Sequence, residues 1–414
     1  MPPCTYCSAL GRGQADLVLN DPCTKLGRSP CELCVRLKEL DKQVSEAKRS
    51  LEFVLEKRRE LMTAVNEHHD PFIHHLPPEI ASRIFHFCLP RLASVDIFND
   101  VDAALQVNYA NRPIPFILGS VCRYWRKIAW SMPQLWNILW LQVTPGTTNT
   151  VARSQLLNGW LGRSGQLPLF IRVFVSNAHC LSLRPSTSSL DLIDSIIDTL
   201  SNYAGRWKVV DLSLPASSIS RLRNNCSNTS TILDVLNINV SDSGPPRIKH
   251  DAVFDLSVKP SPKQISIAGF YLEKINIHWS NITCFDGALL FREEVLTILR
   301  LAPAMEQCKL SCITEKDYFF STPSCELAAV HVHHSLRTLI TRNVTSKFWS
   351  QISCPALEDL SCHLAPQSVT ELVSFIVRSS CPLRSLTLDD FKGGKDMLTT
   401  IIKSAPSHMC LSLH

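Results

Sequence analysis

The chain has 414 residues, 45% of them hydrophobic and 19% charged, with a formal net charge of +5. That balance excludes a disordered chain, and without a dominant Lys/Arg block it gives no case for nucleic-acid binding. No apolar run approaches the ~20 residues that cross a bilayer, so no membrane partner is expected either. The start, Met1-Pro2-Pro3-Cys4, has neither a basic nor an apolar leader, so a cytoplasmic or nuclear setting is expected. There the 17 cysteines would be reduced thiols acting mostly as small core hydrophobes. Sites of the N-x-S/T type, such as Asn239, Asn281 and Asn343, would stay unmodified.

Residues 1–34 are rich in Pro, Gly and Cys and read as a disordered tail. Cys4-x-x-Cys7 and Cys31-x-x-Cys34 have the paired spacing of tetrahedral zinc sites, although the gap between the pairs is long. A reduced tail and a small zinc site both remain open. From Val35 to His69 there is no Pro or Gly. Leu37, Leu40, Val44, Ala47, Leu51 and Val54 step by 3 and 4, Arg58 takes the next slot, and Leu61 and Val65 resume the series. This heptad seam predicts a coiled-coil-like helix over 35–70, in a coiled coil or a long antiparallel helix pair, with one helix packed on the next domain as the alternative. Asp70-Pro71 should end it, since proline disfavours helical geometry in the residue before it.

Leu76-Pro77-Pro78-Glu79-Ile80 reads as a helix start, with proline tolerated in the first turn. Ile80, Ile84, Phe85 and Cys88 recur at helical spacing and predict one apolar face. Pro90 to Pro115 reads as a long connection with Pro113 and Pro115 as breakers. A second helix is expected from Phe116 to Trp130, closed by Met132-Pro133-Gln134-Leu135-Trp136. Val151–Leu161 should form an amphipathic helix stopped by Gly162 and Gly165, and a strand should follow from Leu167 to Val173.

Beyond this, short pieces share apolar residues at first, fourth and sixth positions. They are Trp207/Val210/Leu212, Leu233/Leu236/Ile238, Leu272/Ile275/Ile277, Met305/Cys308/Leu310, Leu357/Leu360/Cys362 and Leu383/Leu386/Leu388. Leu336/Leu339 fits the same frame with Thr341 in the last slot. Several follow a helix end closed by proline, as in Leu301-Ala302-Pro303 and Ser380-Cys381-Pro382. Helix, break and L-x-x-L-x-L strand are the unit of a leucine-rich solenoid, whose units bury their apolar faces by stacking. The expected fold is therefore a long N-terminal helix, a small all-α domain over 71–140, and a leucine-rich-repeat-like α/β solenoid over 141–414. An ordinary α/β domain is the competing reading. The last unit stops at Leu411-Ser412-Leu413-His414 without a polar capping repeat, so closure by something outside this chain, or an incomplete product, is expected.

Leu76-Pro77-Pro78-Glu79-Ile80, Val121-Cys122-Arg123-Tyr124-Trp125-Arg126 and Pro133-Gln134-Leu135-Trp136, in that order, resemble the F-box of large fungal protein families. The helix-to-strand passage Trp160-Leu161-Gly162-Arg163-Ser164-Gly165-Gln166-Leu167-Pro168-Leu169 and the heptad helix before the box are similar to those proteins as well. The resemblance implies docking on a Skp-type adaptor, which joins a cullin scaffold of a ubiquitin ligase. It implies Leu76, Pro77, Ile80, Ile84, Val121, Cys122 and Trp125 as adaptor contacts, some of which could instead build the box's own core. Arg123 and Arg126 are expected to be solvated. The segment from Pro90 to Pro115 departs from the family, where the link is short. The implied function is a non-catalytic substrate receptor that holds a protein substrate on its leucine-rich part and needs no cofactor. A scaffold without a ligase is the alternative.

Other chemistry finds little support. His68, His69, His74 and His75 flank a helix end, where the macrodipole favours cations. His331 and His333 would share a strand face near His334, with no carboxylate or cysteine at ligand spacing. Asp389-Asp390 would point to opposite faces of a strand. No G-x-S-x-G, G-x-x-x-x-G-K, H-E-x-x-H or G-x-G-x-x-G occurs. An unrecognised hydrolase or transferase would instead show a deep polar pocket with convergent His and carboxylate groups.

Overall fold

The computed structural model describes residues 31–69, 76–89, 113–143, 150–175, 187–222, 232–240, 251–256, 258–315, 330–363, 369–389, 395–404 and 409–413. The chain divides into two compact units, Met1–Pro77 and Pro78–His414. The described part of the first is dominated by helix α1, Glu32–His69. It begins three residues before the heptad texture does and is unbroken across Arg58. Asp70-Pro71 lies outside the described residues.

In the second unit three short helices come first: α2 (Pro78–Phe87), α3 (Ile114–Val121) and α4 (Arg123–Ser131). The single helix expected from Phe116 to Trp130 is thus two. Cys122 between them is extended, at φ −154° and ψ 172°, and its Sγ accepts the Trp125 N–H at 3.4 Å as a cap for α4. Pro115 is not a breaker. It sits in the first turn of α3, where a helix has no use for the missing N–H.

The rest is mixed α/β. Eleven strands form one sheet among the described residues, and every pairing in it is parallel. Chain order gives β1 (Ile138–Val143), β2 (Leu169–Val175), β3 (Trp207–Leu214), β4 (Val235–Val240) and the two-residue β5 (Phe254–Asp255). Then come β6 (Gln264–Ala268), β7 (Ile275–Asn276), β8 (Cys284–Ala288), β9 (Gln307–Ser311) and β10 (His331–Val332). Last are β11 (Thr338–Arg342), β12 (Ile352–Ser353), β13 (Asp359–His363), β14 (Ser385–Asp389) and β15 (Cys410–Leu413). The sheet runs β1-β2-β3-β4-β6-β8-β9-β11-β13-β14-β15, so each sheet strand lies beside the next one along the chain. β5 pairs with β7 and β10 with β12 in two small parallel ladders.

Two rows of side chains cross the sheet on its core side. One runs Ile171, Val210, Leu236, Ile265, Phe285, Cys308, Leu339, Leu360, Leu386 in register, and the other Val173, Leu212, Ile238, Ile267, Gly287, Leu310, Thr341, Cys362, Leu388. These are the fourth and sixth slots of the sequence pattern. Apart from Gly287 and Thr341, they share one hydrophobic cluster with residues of the intervening helices, such as Leu296, Leu299, Leu372 and Phe375.

The strand entries repeat too. The carbonyls of Asp234, Lys263, Thr283, Glu306, Arg337 and Glu358 each accept two backbone N–H groups from the start of the next sheet strand. The residue just after β6, β8, β9 and β11 is left-handed in every case: Gly269, Leu289, Cys312 and Asn343, at φ 78°, 59°, 54° and 54°.

The sequence pattern misplaced one strand. Leu272 lies in a short 3-10 turn and Ile275 in the side ladder, so that piece is not in the main sheet. The strands there are β6 and β8, whose first-slot residues are Pro262 and Ile282 and whose last slots are Ile267 and Gly287. A Cβ on Gly287 would lie 2.5 Å from the Phe285 ring and 2.7 Å from Leu290, so the aromatic ring takes the space of the expected leucine. β1 was not anticipated, and it begins before residue 141. Gly162 does not stop the helix Thr150–Arg163; Gly165, at φ 59°, follows its end.

Candidate protein-binding surfaces

Helices α2, α3 and α4 pack around a small core of Ala81, Phe85, Leu118, Ile128, Ala129, Met132, Leu135 and Trp136. Trp136 is its largest member, and its indole N–H donates to the Ala129 carbonyl at 2.8 Å. Trp130, Trp160 and Phe116 meet it edge-on, with centroids 5.0–5.7 Å away. Gly119 permits close packing, because a Cβ there would overlap the Trp130 ring. The Arg126 guanidinium donates to the Gly119 carbonyl at 2.8 Å, closing the end of α3. Arg123 and Arg126 are both exposed, and Arg126 reaches this carbonyl from the surface.

The predicted single apolar face of α2 is split in two. Ala81 and Phe85, four residues apart, turn into the core, whereas Ile80 and Ile84 are 43% and 45% exposed on the next face. Val121, at the end of α3, is 54% exposed. Trp125 is half-buried, meeting Phe85 edge-on with ring centroids 4.8 Å apart, and so packs on the core of its own cluster. Cys122 is half-buried as the α4 cap. Leu76 is half-buried and Pro77 exposed. Of the seven residues singled out by sequence, Ile80, Ile84 and Val121 offer open apolar surface; Ile117 and Phe87, which were not singled out, are also exposed. Their signal was the helical spacing, which places Phe87 beside Ile84 on α2 and Ile117 four residues before Val121 on α3.

The side of the sheet away from the core carries a third row: Trp140, Arg172, Asp211, Asn237, Ser266, Asp286, Lys309, Ile340, Ser361, Thr387. Arg172 bridges Asp211 at 2.9 Å and lies 4.9 Å above the Trp140 ring. Lys309 reaches Asp286 at 3.3 Å. Burial pushes both carboxyls above the usual range, opposed by the cation beside each. The row thus carries an aromatic and ionic group at β1 to β3, a second ion pair at β8 and β9, and short hydroxyl side chains at β13 and β14. Such a broad, mixed face suits a polypeptide partner better than a small molecule.

The groups considered for chemistry do not converge. Among the described residues no three or more His, Cys, Asp or Glu side chains are grouped as metal ligands. Cys31 and Cys34 have their sulfurs 3.6 Å apart, while Cys4, Cys7, Cys23, His74, His75 and Asp390 lie outside the described residues. His331 and His333 do stand together, with ring centroids 6.1 Å apart, but His333 is buried and bonded through Nε2 to the Ala302 carbonyl at 3.1 Å. Burial pushes the thiols of Cys354 and Cys362 up to about 12, so both are protonated packing residues at neutral pH. A cavity of about 420 Å³ lies between α3, β1 and the helix Thr150–Arg163; its walls are chiefly apolar, with Trp140, Trp160, Phe116 and Arg153 among them. No helix among the described residues is long and apolar enough to cross a membrane.

Neither a known family model nor a curated protein matches the chain. What the structure defines on its own terms is a mixed α/β chain with a parallel sheet, preceded by a small helical cluster on which Ile80, Ile84 and Val121 are exposed.

Proposed function

We propose that this chain is the substrate receptor of a Skp-cullin-F-box type ubiquitin ligase. In this reading α2, α3 and α4 are an F-box-like module that docks a Skp-type adaptor through Ile80, Ile84 and Val121. The parallel array from β1 onward is a leucine-rich solenoid whose outer row holds a protein substrate. The chain supplies no catalytic group; the ubiquitin-charged enzyme is brought by the cullin.

The observation that carries this reading is the divided apolar surface of the helical cluster. Ala81, Phe85 and Leu118 complete a core, yet Ile80, Ile84 and Val121 stay 43–54% exposed at the positions that resemble adaptor contacts. Ile80 and Ile84 are neighbours one turn apart on α2, and large exposed apolar side chains grouped in this way mark candidate interfaces. The solenoid half rests on repetition: sequential parallel strands, six repeats of the strand-entry hydrogen bonds and four left-handed exits.

The test is capture of a purified Skp-type adaptor by the full chain. Replacing Ile80 and Ile84 together by Asp should weaken capture at least tenfold, about 1.4 kcal/mol or more, while leaving folding intact. Undiminished capture by that variant, or no capture by the unaltered chain, would sink the proposal.

A further inference from the structure

Helix α1 leaves its whole apolar seam open. Leu37, Leu40, Val44, Leu51, Val54, Leu61 and Val65 are 40–67% exposed along a helix of 38 residues, about 57 Å long. A single helix with such a stripe is marginal in water, because helical stability in proteins comes mainly from burying an apolar face. We propose that α1 pairs with α1 of a second copy of this chain, parallel and in register, as a two-stranded coiled coil.

Three features select this occupant. The first is the period. A helix docked on a globular surface follows 3.6 residues per turn, and a strict sevenfold repeat drifts from that by ~20° per heptad. The seam from Leu37 to Val65 keeps the sevenfold repeat over four heptads, which fits a supercoiled partner of the same pitch. Secondly, the core positions suit two strands. With Leu37 at position a, Val44 and Val65 also fall at a and Leu40 and Leu61 at d, the β-branched and leucine placement that favours parallel dimers, while Leu51 at a and Val54 at d reverse it and Ala47 at d is small. Arg58 is the one charged residue at a. Such a residue costs stability but fixes register and strand number, and its long stem can reach solvent at a two-stranded edge.

The third feature is charge. In a parallel in-register pair, each g position meets the e position five residues on in the partner. Arg36 then faces Asp41 of the second copy, twice by symmetry. The following pairs, Gln43 with Lys48, Ser50 with Leu55 and Lys57 with Met62, contain no like charges. Leu55 and Met62 are themselves exposed and widen the stripe that the second copy would cover. The two antiparallel registers of fullest overlap bring no opposite charges together at flanking positions, and one sets Lys48 against its own copy. Charge complementarity therefore favours the parallel pair. This inference does not rest on the ligase reading; it would hold equally for a scaffold.

Sedimentation equilibrium of the full chain at micromolar concentrations should give twice the chain mass of 46.4 kDa. Replacing Leu51 and Leu61 by Glu should return the single-chain mass while leaving the thermal transition of the parallel-sheet unit unchanged. Arg36→Glu should weaken the pair roughly tenfold, and adding Asp41→Arg in the same chain should restore most of the loss. Spin labels on unnatural residues at 38 or 63 should each show one short distance between copies. A single-chain mass up to ~100 μM, a pair that survives the double glutamate variant, or long label distances at both ends would overturn the proposal.

Discussion

The parallel sheet and the three-helix cluster beside it use apolar residues in opposite ways. In the sheet, residues in the fourth and sixth slots are sealed: Leu236, Phe285, Leu310, Leu360 and Leu386 have essentially no exposure. Each strand has a neighbour with the same periodicity, so every apolar side chain meets another across the ladder. In the cluster, three helices of 8 to 10 residues enclose one small core, and α2 keeps Ile80 and Ile84 outside it. A module that small has more apolar residues than interior. The same residue types therefore mean packing in one region and a candidate interface in the other.

Substitutions can break that contrast or sharpen it. The largest effect is expected at Phe285, which fills both its own slot and the space left by Gly287. Phe285→Ala should destabilise the sheet unit by about 3–5 kcal/mol in chemical denaturation. A smaller change, in the opposite direction, is expected at Thr341. It occupies a leucine slot with no exposure, and its Oγ1 is buried without a hydrogen-bond partner. Thr341→Val keeps the shape and removes the uncompensated hydroxyl, and should raise stability by about 1 kcal/mol.

The sheet should also respond to acid through His331 and His333. Burial, the leading cause, holds both imidazoles below their ordinary value of 6.5; the backbone carbonyls near them oppose it, whereas Arg300 and His334 add to it at His331, and His331 and His334 at His333. A depressed folded pKa means that stability is complete above about 6.5 and is lost as pH falls toward the folded values. Melting temperature should therefore drop between pH 7.5 and pH 5, and His333→Gln should narrow the difference. The smallest stability effect belongs to the exposed face. Ile84→Asp alone should change folding by no more than ~0.5 kcal/mol, since its side chain lies outside the core. A loss of several kcal/mol there would erase the distinction between core and candidate interface.

How much of this was legible follows from where each signal sits. The strands at Trp207, Leu233, Met305, Leu336, Leu357 and Leu383 were readable because their apolar spacing is local. β6 and β8 were missed because Pro262 and Gly287 stand where leucines were sought, and only the packed ring of Phe285 explains the second. Ile80, Ile84 and Val121 could be named as candidates from motif order, but their exposure could not, because helical spacing alone does not say which neighbouring stripe faces inward. The break at Cys122 and the bond from Arg126 to Gly119 likewise depend on how α3 and α4 meet.

By itself, then, the sequence determined what repeats at short range: the heptads of α1, the apolar slots of the strands and the proline-marked helix ends. These follow from side-chain periodicity, which needs no knowledge of distant residues. Tertiary structure decided the rest, namely the sequential parallel order of the strands, the left-handed exits at Leu289 and Cys312, and which isoleucines of α2 stay in water. Each of these depends on what lies opposite a residue in space, and neighbours in sequence carry no record of that.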